Sequence, residues 1–375
     1  NRAAGQGIGQ PGRESGSRAG NRAAEQGSRA TGQARCEGAA QQLCPLLERP
    51  AVVALPAFPV SALSYWLFTQ RLYHHPGHGR LFFRPPVFRV LVHFVRMKEQ
   101  GANSLSNAAA WREQDGVAVL AMPALEAPGG VRAFFTGRRG GVSPQWQGGL
   151  NWSYSVGDEP ANVVENRRRS IALLGLPMER TVMAGLVHGN RVVAVTGEEA
   201  PGPDAVRFVP DCDALITDRP GLALVVTAAD CVPVFLYDPV RRAIGAVHAG
   251  WRGTVAGVAA RAVAAMAEAF GSRPADLLAA VGPSIGPCCY EVDDAVAEPL
   301  RTYYGDFAGE LLAPGRAPGK YLLNLWEANR RDLRQAGVAQ VSVSAACTAC
   351  GVDRLFSHRA EAGAAGRGAA VIALV

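Results

Sequence analysis

Three short, almost uninterrupted apolar runs follow one another in the middle of the chain, at Leu222–Thr227, Val232–Tyr237 and Ala243–His248. Each run has the length of a strand, and apolar side chains occupy odd and even positions alike. This pattern is typical of strands that are buried on both faces. The fold therefore has to place a buried sheet at its centre, with other elements layered over it.

The segments around these runs supply further elements. Strands are predicted at Val117–Met122, Val131–Thr136, Val192–Thr196, Leu277–Val281, Val341–Ala345 and Ala369–Val375. Helices are predicted at Asp158–Leu174, Thr254–Phe270, Asp293–Tyr304 and Leu325–Gln335. Because strands and helices alternate, we expect an α/β (α+β) sandwich in which a mixed β-sheet is covered by helices.

The first 112 residues differ in composition from the rest. Residues 1–48 are rich in Arg, Gly, Ala, Gln and Ser and have almost nothing to bury, so we expect disorder there. Residues 1–112 carry a net charge of +9, whereas residues 113–375 carry −3. We therefore expect a low-complexity, irregular leader over 1–112, disordered or non-native, and a single folded domain over 113–375. A domain this close to neutrality offers no basic surface for nucleic acid.

Two features bear on where the protein works. Ala51–Phe68 is the one stretch that suggests a membrane span, but it contains Pro56 and Pro59 and is short, so no membrane association is expected. The 8 cysteines in 375 residues do not amount to a disulfide scaffold. Reduced thiols and a cytoplasmic location follow as expectations.

Four of these cysteines lie in two pairs, Cys288-Cys289 and Cys347-Thr-Ala-Cys350. The second pair is a lone C-x-x-C, because no other pair in the chain has matching spacing. Cys288 and Cys289 could join it around a structural zinc ion, but thiols buried in the core are the preferred interpretation.

Three residues at the ends or edges of strands carry the clearest chemistry: His188 in Leu-Val-His-Gly, Cys231 in Ala-Ala-Asp-Cys-Val-Pro, and His248 in Val-His-Ala-Gly-Trp-Arg-Gly. Each has Gly or Pro close by where a strand gives way to a turn, and active sites in such sheets lie at strand ends. Two imidazoles and one thiolate leave a fourth zinc position for water, whose pKa the metal lowers to about 7. We therefore predict one catalytic zinc ion per chain.

Other interpretations of these positions stay open. Taken singly, each of the three is more often a buried polar or small apolar side chain than a ligand. Cys231 could also be a thiolate nucleophile, with His248 or His188 as its base and no metal. Asp230 could orient a ligand if the strand ends there, or it could be a turn or cap residue.

The segment Gly250-Trp-Arg252-Gly-Thr254 leads directly into a predicted helix. Thr254 is suited to cap that helix, and Arg252 stands beside its first N–H groups. A helix N-terminus with an adjacent Arg is a common anion site, suitable for phosphate or a carboxylate. An ordinary glycine-rich helix start with an exposed Arg is an equally good interpretation.

Many short motifs occur in one order from about Val131 to the C-terminus. They are Arg138-Arg-Gly-Gly-Val-Ser143, Leu150-Asn151, Gly157-Asp158, Glu165-Asn166-Arg167, His188-Gly189, Asp211-Cys-Asp213-Ala-Leu215, Ala229-Asp-Cys231-Val-Pro233, His248-Ala-Gly-Trp-Arg-Gly253, Gly282-Pro-Ser-Ile-Gly-Pro-Cys-Cys-Tyr-Glu291, Cys347-Thr-Ala-Cys350 and Phe356-Ser357. Together they resemble the PgeF/YfiH family, also called the laccase-domain or multicopper polyphenol oxidase family, of which human FAMIN is a distant member.

The resemblance implies a cofactor and an activity. In the family the zinc ligands are the His of His-Gly, the Cys of Ala-Asp-Cys and the His of His-Ala-Gly-Trp-Arg-Gly, which correspond to His188, Cys231 and His248 here. The implied activity is a zinc-dependent purine nucleoside enzyme, acting by phosphorolysis of adenosine, inosine or methylthioadenosine and by deamination of adenosine. A purine nucleoside and phosphate would be its small-molecule substrates.

The predicted roles extend beyond the metal. Cys231, His248 and Arg252 are predicted to be catalytic. Substrate binding is predicted for Arg138, Asn151, Arg252 and Thr254. The alternative activity is a peptidoglycan-editing amide hydrolase that removes L-Ser from a UDP-MurNAc precursor, since a zinc hydroxide could equally attack that amide. The sequence leaves the oligomeric state open.

The chain departs from the family pattern at two positions, and its few histidines argue against a copper centre. Leu186 stands where many relatives have Gln, which removes an amide near the metal and is expected to affect substrate choice. His358 stands where an aromatic residue is usual. A multicopper centre needs many histidines, and residues 113–375 contain only His188, His248 and His358, with no His-x-His pair. Copper-dependent phenol oxidation is therefore disfavoured.

Overall fold

The computed structural model describes residues 109–146 and 149–375. The predicted disorder of residues 1–48 and the apolar stretch Ala51–Phe68 lie outside the described residues. The predicted boundary between residues 112 and 113 falls inside the first described strand, Ala110–Gln114. Among the described helices, none has the length and apolar character that crossing a bilayer would require.

Sixteen strands can be assigned in the described residues. They are β1 Ala110–Gln114, β2 Val117–Ala121, β3 Val131–Thr136, β4 Thr181–Ala184, β5 Val192–Ala194, β6 Arg207–Val209, β7 Ala214–Thr217, β8 Ala223–Ala228, β9 Val232–Asp238, β10 Ala243–Ala249, β11 Leu278–Val281, β12 Glu291–Asp293, β13 Leu312–Pro314, β14 Lys320–Leu323, β15 Gln340–Val343 and β16 Gly368–Leu374.

Seven α-helices lie between these strands. They are α1 Pro123–Glu126, α2 Pro160–Ala172, α3 Trp251–Val255, α4 Val258–Phe270, α5 Asp294–Tyr304, α6 Ala308–Leu311 and α7 Leu325–Gln335.

Two large sheets dominate the architecture. One has seven strands in the order β1-β2-β3-β16-β8-β4-β6, and the other has six in the order β15-β11-β9-β10-β7-β5. A small third sheet joins β12, β14 and β13. Both large sheets are mixed: β4 pairs in parallel with β6 and β8, β5 with β7, and β11 with β15, while the other pairs are antiparallel.

The two large sheets pack face to face, with helices on their outer faces. Leu224 of β8 belongs to the same apolar core as Phe235 of β9, so this core fills the space between the sheets. Val225, the next residue of β8, packs with Ile171 of α2 on the outer side of the seven-stranded sheet. A third core joins the six-stranded sheet to α4 and α7, for example through Leu333. Alternate residues of a strand thus enter different cores, which confirms burial on both faces and the predicted sandwich.

The structure corrects one predicted helix and adds several strands. The helix expected over Thr254–Phe270 is divided into α3 and α4, because Gly257 adopts a φ of 73° and interrupts the helical path. Helix α7 has the predicted bounds. The strands β1, β4, β6, β7, β12, β13 and β14 were not predicted. They are three to five residues long, which is too short for a periodic signal.

Candidate metal centre

His188, Cys231 and His248 come together in the structure and are called the trio site below. Their potential ligand atoms, one from each residue, all lie within 4.8 Å of one another. The two imidazole rings are 4.9 Å apart between centroids and nearly perpendicular, at 82°. His248 is 3% exposed, while Cys231 is partly buried and His188 is exposed. The site is therefore closed on the protein side and open at His188.

Strand register explains why Cys231 and His248 face each other. His248 pairs with Pro233 across the antiparallel β9–β10 ladder, so these two side chains share a face of the sheet. Cys231 precedes Pro233 by two residues and returns to that same face, because side chains alternate along a strand. The sequence pattern placed both residues at strand ends, and the antiparallel pairing brings the two ends together.

His188 arrives from the other large sheet, in the loop after β4. Its φ is +61°, a left-handed conformation that His adopts more readily than β-branched residues do. The carboxylate of Asp213 accepts hydrogen bonds from three successive backbone N–H groups in this loop, those of Val187 (3.3 Å), His188 (2.9 Å) and Gly189 (2.7 Å). Asp213 thus fixes the loop conformation that presents the His188 ring.

Asp213 also orients the second imidazole. Its Oδ1 lies 2.9 Å from Nδ1 of His248, and Asp213 is fully buried. An Nδ1–H donated to this carboxylate leaves Nε2 of His248 free to bind a metal, the usual arrangement behind a metal-bound histidine. Burial alone would raise the pKa of Asp213, but the hydrogen bonds from His248 and Gly189 outweigh it and lower the pKa. Asp213 lies within one of the sequence motifs, Asp211-Cys-Asp213-Ala-Leu215, but no local pattern indicated this role.

The Cys231 thiol and the buried His248 imidazole shift each other's pKa. Burial opposes ionisation of Cys231, but the charge on His248 and hydrogen bonds from His188 and His248 lower the pKa of the thiol to about 6. Burial likewise opposes protonation of His248, but the Cys231 charge and the bond to Asp213 raise its pKa to about 9. A bound metal cation would replace the proton on Nε2 of His248. It would bind beside the Cys231 sulfur, for which the thiolate form is already favoured.

Gly250 leaves the space that the trio site needs. A Cβ atom at this position would lie 3.0 Å from Sγ of Cys231 and 3.1 Å from Cδ2 of His188. Any side chain larger than hydrogen would therefore push these two residues apart. The donor set of two nitrogens and one sulfur, its spacing and the oriented Nε2 all fit a zinc ion.

The predicted anion site is only partly present. Arg252 lies in α3 and is exposed, with its guanidinium 4.3 Å from the centre of the Trp251 ring. Among the described residues it forms no ion pair within salt-bridge distance. The prediction that Thr254 caps a helix is wrong. Its N–H is bonded to the Gly250 carbonyl (2.8 Å), and its buried hydroxyl accepts from Asn329 (3.1 Å), because the helix already begins at Trp251.

Arg138 and Asn151 make contacts within the protein. Arg138 donates to the Val352 carbonyl (2.6 Å) and to Glu361 (2.9 Å). Asn151 is fully buried; its amide donates to Ser153 and Asp158, and its oxygen accepts from backbone N–H groups. Neither joins the trio site, and their contact with substrate stays a prediction.

Asp230 is a turn residue whose carboxylate is hydrogen-bonded to the C-terminal loops rather than to the trio site. It has a φ of +90°, and its carboxylate accepts from the Thr348 hydroxyl (2.6 Å), the Ser357 hydroxyl (2.7 Å) and the Arg359 N–H (2.6 Å). It therefore fastens the turn before Cys231 to the C-terminal loops. Of the two alternatives for this position, the structure favours the turn residue.

Two further residues near the site were not singled out from the sequence. Burial, together with the negative charges of Cys231 and Asp230, raises the pKa of Tyr290 to about 12. Burial lowers the pKa of the Arg367 guanidinium, although the nearby Cys231 charge opposes this. Both lie close enough to respond to the charge of Cys231, yet each is more than forty residues from every member of the trio site in sequence, which explains why no local pattern identified them.

The two departures from the family pattern also have defined positions. Leu186 is partly buried and packs against the core between the two sheets. His358 is exposed and does not belong to the trio site.

The remaining cysteine pairs form a second group. The Sγ atoms of Cys288, Cys289, Cys347 and Cys350 all lie within 4.8 Å of one another, and this set is called the four-cysteine cluster below. Cys288 and Cys350 are exposed. The interpretation as thiols buried in the core is therefore wrong for these two, because the loops that carry them lie at the protein surface.

Comparison with known proteins gives a consistent result. A family described as "Multi-copper polyphenol oxidoreductase laccase" matches residues 132–375. A Geobacillus stearothermophilus protein named "Purine nucleoside phosphorylase YlmD" is 40% identical over 244 residues, covering 64% of this chain and 88% of that protein. A Deinococcus radiodurans protein named "Purine nucleoside phosphorylase" is 39% identical over 255 residues, covering 68% and 93%.

Solved structures match in fold as well. The crystal structure of the Bacillus licheniformis hypothetical protein YfiH aligns with a TM-score of 0.65 and 37% identity. The alignment covers 71% of this chain and 99% of that protein.

Proposed function

Since the chain belongs to the multi-copper polyphenol oxidoreductase laccase family, the PgeF/YfiH family, we propose that it is a zinc-dependent purine nucleoside enzyme. It would cleave adenosine, inosine or methylthioadenosine with phosphate and would deaminate adenosine. The observation that carries the proposal is the trio site, whose ligand atoms lie within 4.8 Å of one another. Relatives named purine nucleoside phosphorylase support the substrate class.

His188, Cys231 and His248 would hold the zinc. With three protein ligands and an open fourth position, a bound zinc supplies Lewis-acid activation of water or of a substrate oxygen. The protein's own part is positional. Asp213 keeps the proton of His248 on Nδ1 and shapes the His188 loop, so both rings are set before any substrate arrives.

The exposed guanidinium of Arg252 is the proposed phosphate contact. It follows Gly250, which borders the trio site, by two residues, and no carboxylate of the described residues lies within salt-bridge distance of it. Arg is well suited to phosphate because its N–H groups bind two oxygens at once. We place the activity in residues 113–375, in the cytoplasm, and expect small molecules rather than nucleic acid as substrates.

A metal-free Cys–His hydrolase is a second candidate, because one observation favours it. The pKa of Cys231, lowered to about 6 by His248 and His188 against the effect of burial, is the property that a thiolate nucleophile needs. Peptidoglycan editing by zinc-dependent amide hydrolysis uses the same residues and differs only in substrate. Copper oxidation stays disfavoured despite the family's description, since residues 113–375 contain three histidines.

The test uses the full chain, purified without chelator, and its Cys231→Ala variant. Both are assayed for zinc by mass spectrometry and incubated with adenosine, with and without phosphate. We expect adenine and ribose 1-phosphate, together with inosine, from the parent protein. We expect the variant to lose one equivalent of zinc and more than about 100-fold of the activity, since even outer-sphere changes at metal sites cost 10–100-fold.

The matched control is Cys212→Ala, which removes a fully buried core thiol outside the trio site. It should keep both zinc and activity. Zinc without nucleoside turnover would redirect the assignment to the amide hydrolase. Activity that survives complete zinc removal but is abolished by a thiol alkylator would establish the Cys–His enzyme and refute the zinc mechanism.

A further inference from the structure

The four-cysteine cluster is built by two loops that leave the same edge of a sheet. Strands β11 and β15 pair in parallel, so their C-terminal ends lie side by side. The loop after β11 carries Cys288 and Cys289, and the loop after β15 carries Cys347 and Cys350. A parallel bridge between Ser284 and Cys347 continues the pairing beyond the strands. The four thiols meet because of the fold, although up to 62 residues separate them in sequence.

The distances fit one shared cation better than disulfide bonds. Sγ of Cys350 lies 3.5 Å from Sγ of Cys288 and 3.4 Å from Sγ of Cys289. A zinc ion with four Zn–S bonds of about 2.3 Å has sulfur–sulfur edges of about 3.8 Å, close to both values. A disulfide brings two sulfurs to about 2.05 Å and uses each sulfur once. Cys350 instead approaches two partners almost equally.

The surroundings of the sulfurs support a metal thiolate. The N–H of Gly286 donates to Sγ of Cys347 at 3.2 Å, the kind of backbone hydrogen bond that stabilises charged sulfur at metal sites. A Cβ at Gly286 would lie 2.7 Å from the Trp326 ring and 3.2 Å from Sγ of Cys288, so the loop must pass close to the sulfurs. The donor set contains sulfur alone, which suits zinc and excludes hard cations such as Mg²⁺ or Ca²⁺.

We propose that Cys288, Cys289, Cys347 and Cys350 bind a second, structural zinc ion. Four thiolates complete a tetrahedron and leave no position for water or substrate, so this ion does no chemistry. Its effect is to tie the two loops to each other. The same loops hold the turn before Cys231: Asp230 accepts from the Thr348 hydroxyl (2.6 Å), and its carbonyl accepts from the N–H of Ile285 (3.0 Å).

The experiment counts zinc in the full chain and in three variants. The parent should contain two zinc ions, Cys347→Ser/Cys350→Ser one, and Cys231→Ser one, while the variant with all three changes should contain none. The Cys212→Ser control, which alters a buried thiol elsewhere, should keep both ions. The zinc that Cys231→Ser retains should show only sulfur neighbours, at about 2.3 Å, in X-ray absorption.

This last measurement protects the test against misfolding of the double variant, because the four thiols are intact in Cys231→Ser. It also separates this proposal from the enzymatic one, which can fail while the all-sulfur zinc is still found. Zinc content that is unchanged by Cys347→Ser/Cys350→Ser in a folded protein would overturn the proposal. A disulfide among the four cysteines in the protein as purified, or the visible absorption of an iron–sulfur cluster, would overturn it as well.

Discussion

The trio site and the four-cysteine cluster both contain cysteine ligands, but they suit different roles. The trio site suits catalysis, and the four-cysteine cluster suits structural stability. The trio site has three donors, which are carried by segments of two different sheets. A buried carboxylate lies behind one of its imidazoles. The four-cysteine cluster has only thiols, carried by two loops at one sheet edge, and the N–H of Gly286 donates to one of them. Three ligands leave a position for chemistry, whereas four close it.

The two groups also differ in what holds them in place. The Asp213 carboxylate accepts hydrogen bonds from three backbone N–H groups and from one imidazole. The geometry of the trio site is therefore fixed by hydrogen bonds within the protein. The four-cysteine cluster has far fewer such contacts, and a bound metal would itself supply the missing restraint. A preorganised site suits turnover, because no reorganisation is needed when substrate binds, while a metal-organised site suits stability.

Among changes outside the ligands themselves, the largest effect is expected from Asp213→Asn. The substitution keeps the size of the side chain but replaces one acceptor oxygen by an NH₂ group that faces the N–H donors of the 187–189 loop and of His248. We expect zinc affinity at the trio site, or activity, to fall 10–100-fold, with zinc at the four-cysteine cluster unaffected. Competition with a chelator, followed by assay, measures both.

Asp204→Asn is the matched control for this change. Asp204 is also a fully buried carboxylate, paired with Arg167 at 2.9 Å, and belongs to neither cysteine-containing group. It should lower thermal stability without changing zinc affinity. Equal loss of zinc in both variants would show that the trio site responds to general destabilisation rather than to Asp213.

An intermediate effect is expected in the pH dependence of thiol alkylation in metal-stripped protein. The pKa of Cys231 is lowered to about 6 against the effect of burial, by His248 and His188, whereas burial raises the pKa of Cys212 to about 11. The reactive thiolate of Cys231 forms as pH rises through 6, so its alkylation rate should increase roughly tenfold between pH 5 and 7 and then level off.

Peptide mapping by mass spectrometry follows each cysteine separately, and Cys212 should stay unmodified over this range. Adding zinc back should protect Cys231 and the four-cysteine cluster alike. If the Cys231 rate instead keeps rising to pH 9, its imidazole neighbours do not favour the thiolate, and the trio site is less preorganised than its geometry indicates.

The comparison also shows where sequence patterns are sufficient. His188, Cys231 and His248 could be found because each stands at a strand–turn boundary, a local feature. Asp213 could not be assigned a role, because its four contacts depend on which loop lies over the start of β7. Local patterns report on neighbours in sequence and not on loops brought together by the sheet.

The same limit applies to the fold and to the four-cysteine cluster. Burial of Leu222–Thr227 on both faces was predicted, but the layer on one side is a second sheet, and no periodicity reveals which element covers a strand. Cys288 and Cys350 approach each other only because β11 and β15 are parallel neighbours. Their spacing alone made a structural zinc the less favoured interpretation.

The smallest effect on activity and zinc affinity is expected from Asp230→Gly, which tests whether the two groups are coupled. Asp230 lies beside Cys231 and binds Thr348, between Cys347 and Cys350, so it is the contact that both groups share. Glycine accommodates the φ of +90° without strain, so the variant deletes the carboxylate and its three hydrogen bonds alone. We expect the free energy of unfolding to fall by at least about 1.5–3 kcal/mol, which is the contribution of a single hydrogen bond to a charged group. Activity and zinc affinity of the four-cysteine cluster should fall together by a few-fold.

Asp230→Asn should recover most of both, because the Thr348 and Ser357 hydroxyls can turn to accept from its amide. If only one of the two properties falls, the four-cysteine cluster stabilises its own loops and has no influence on the trio site.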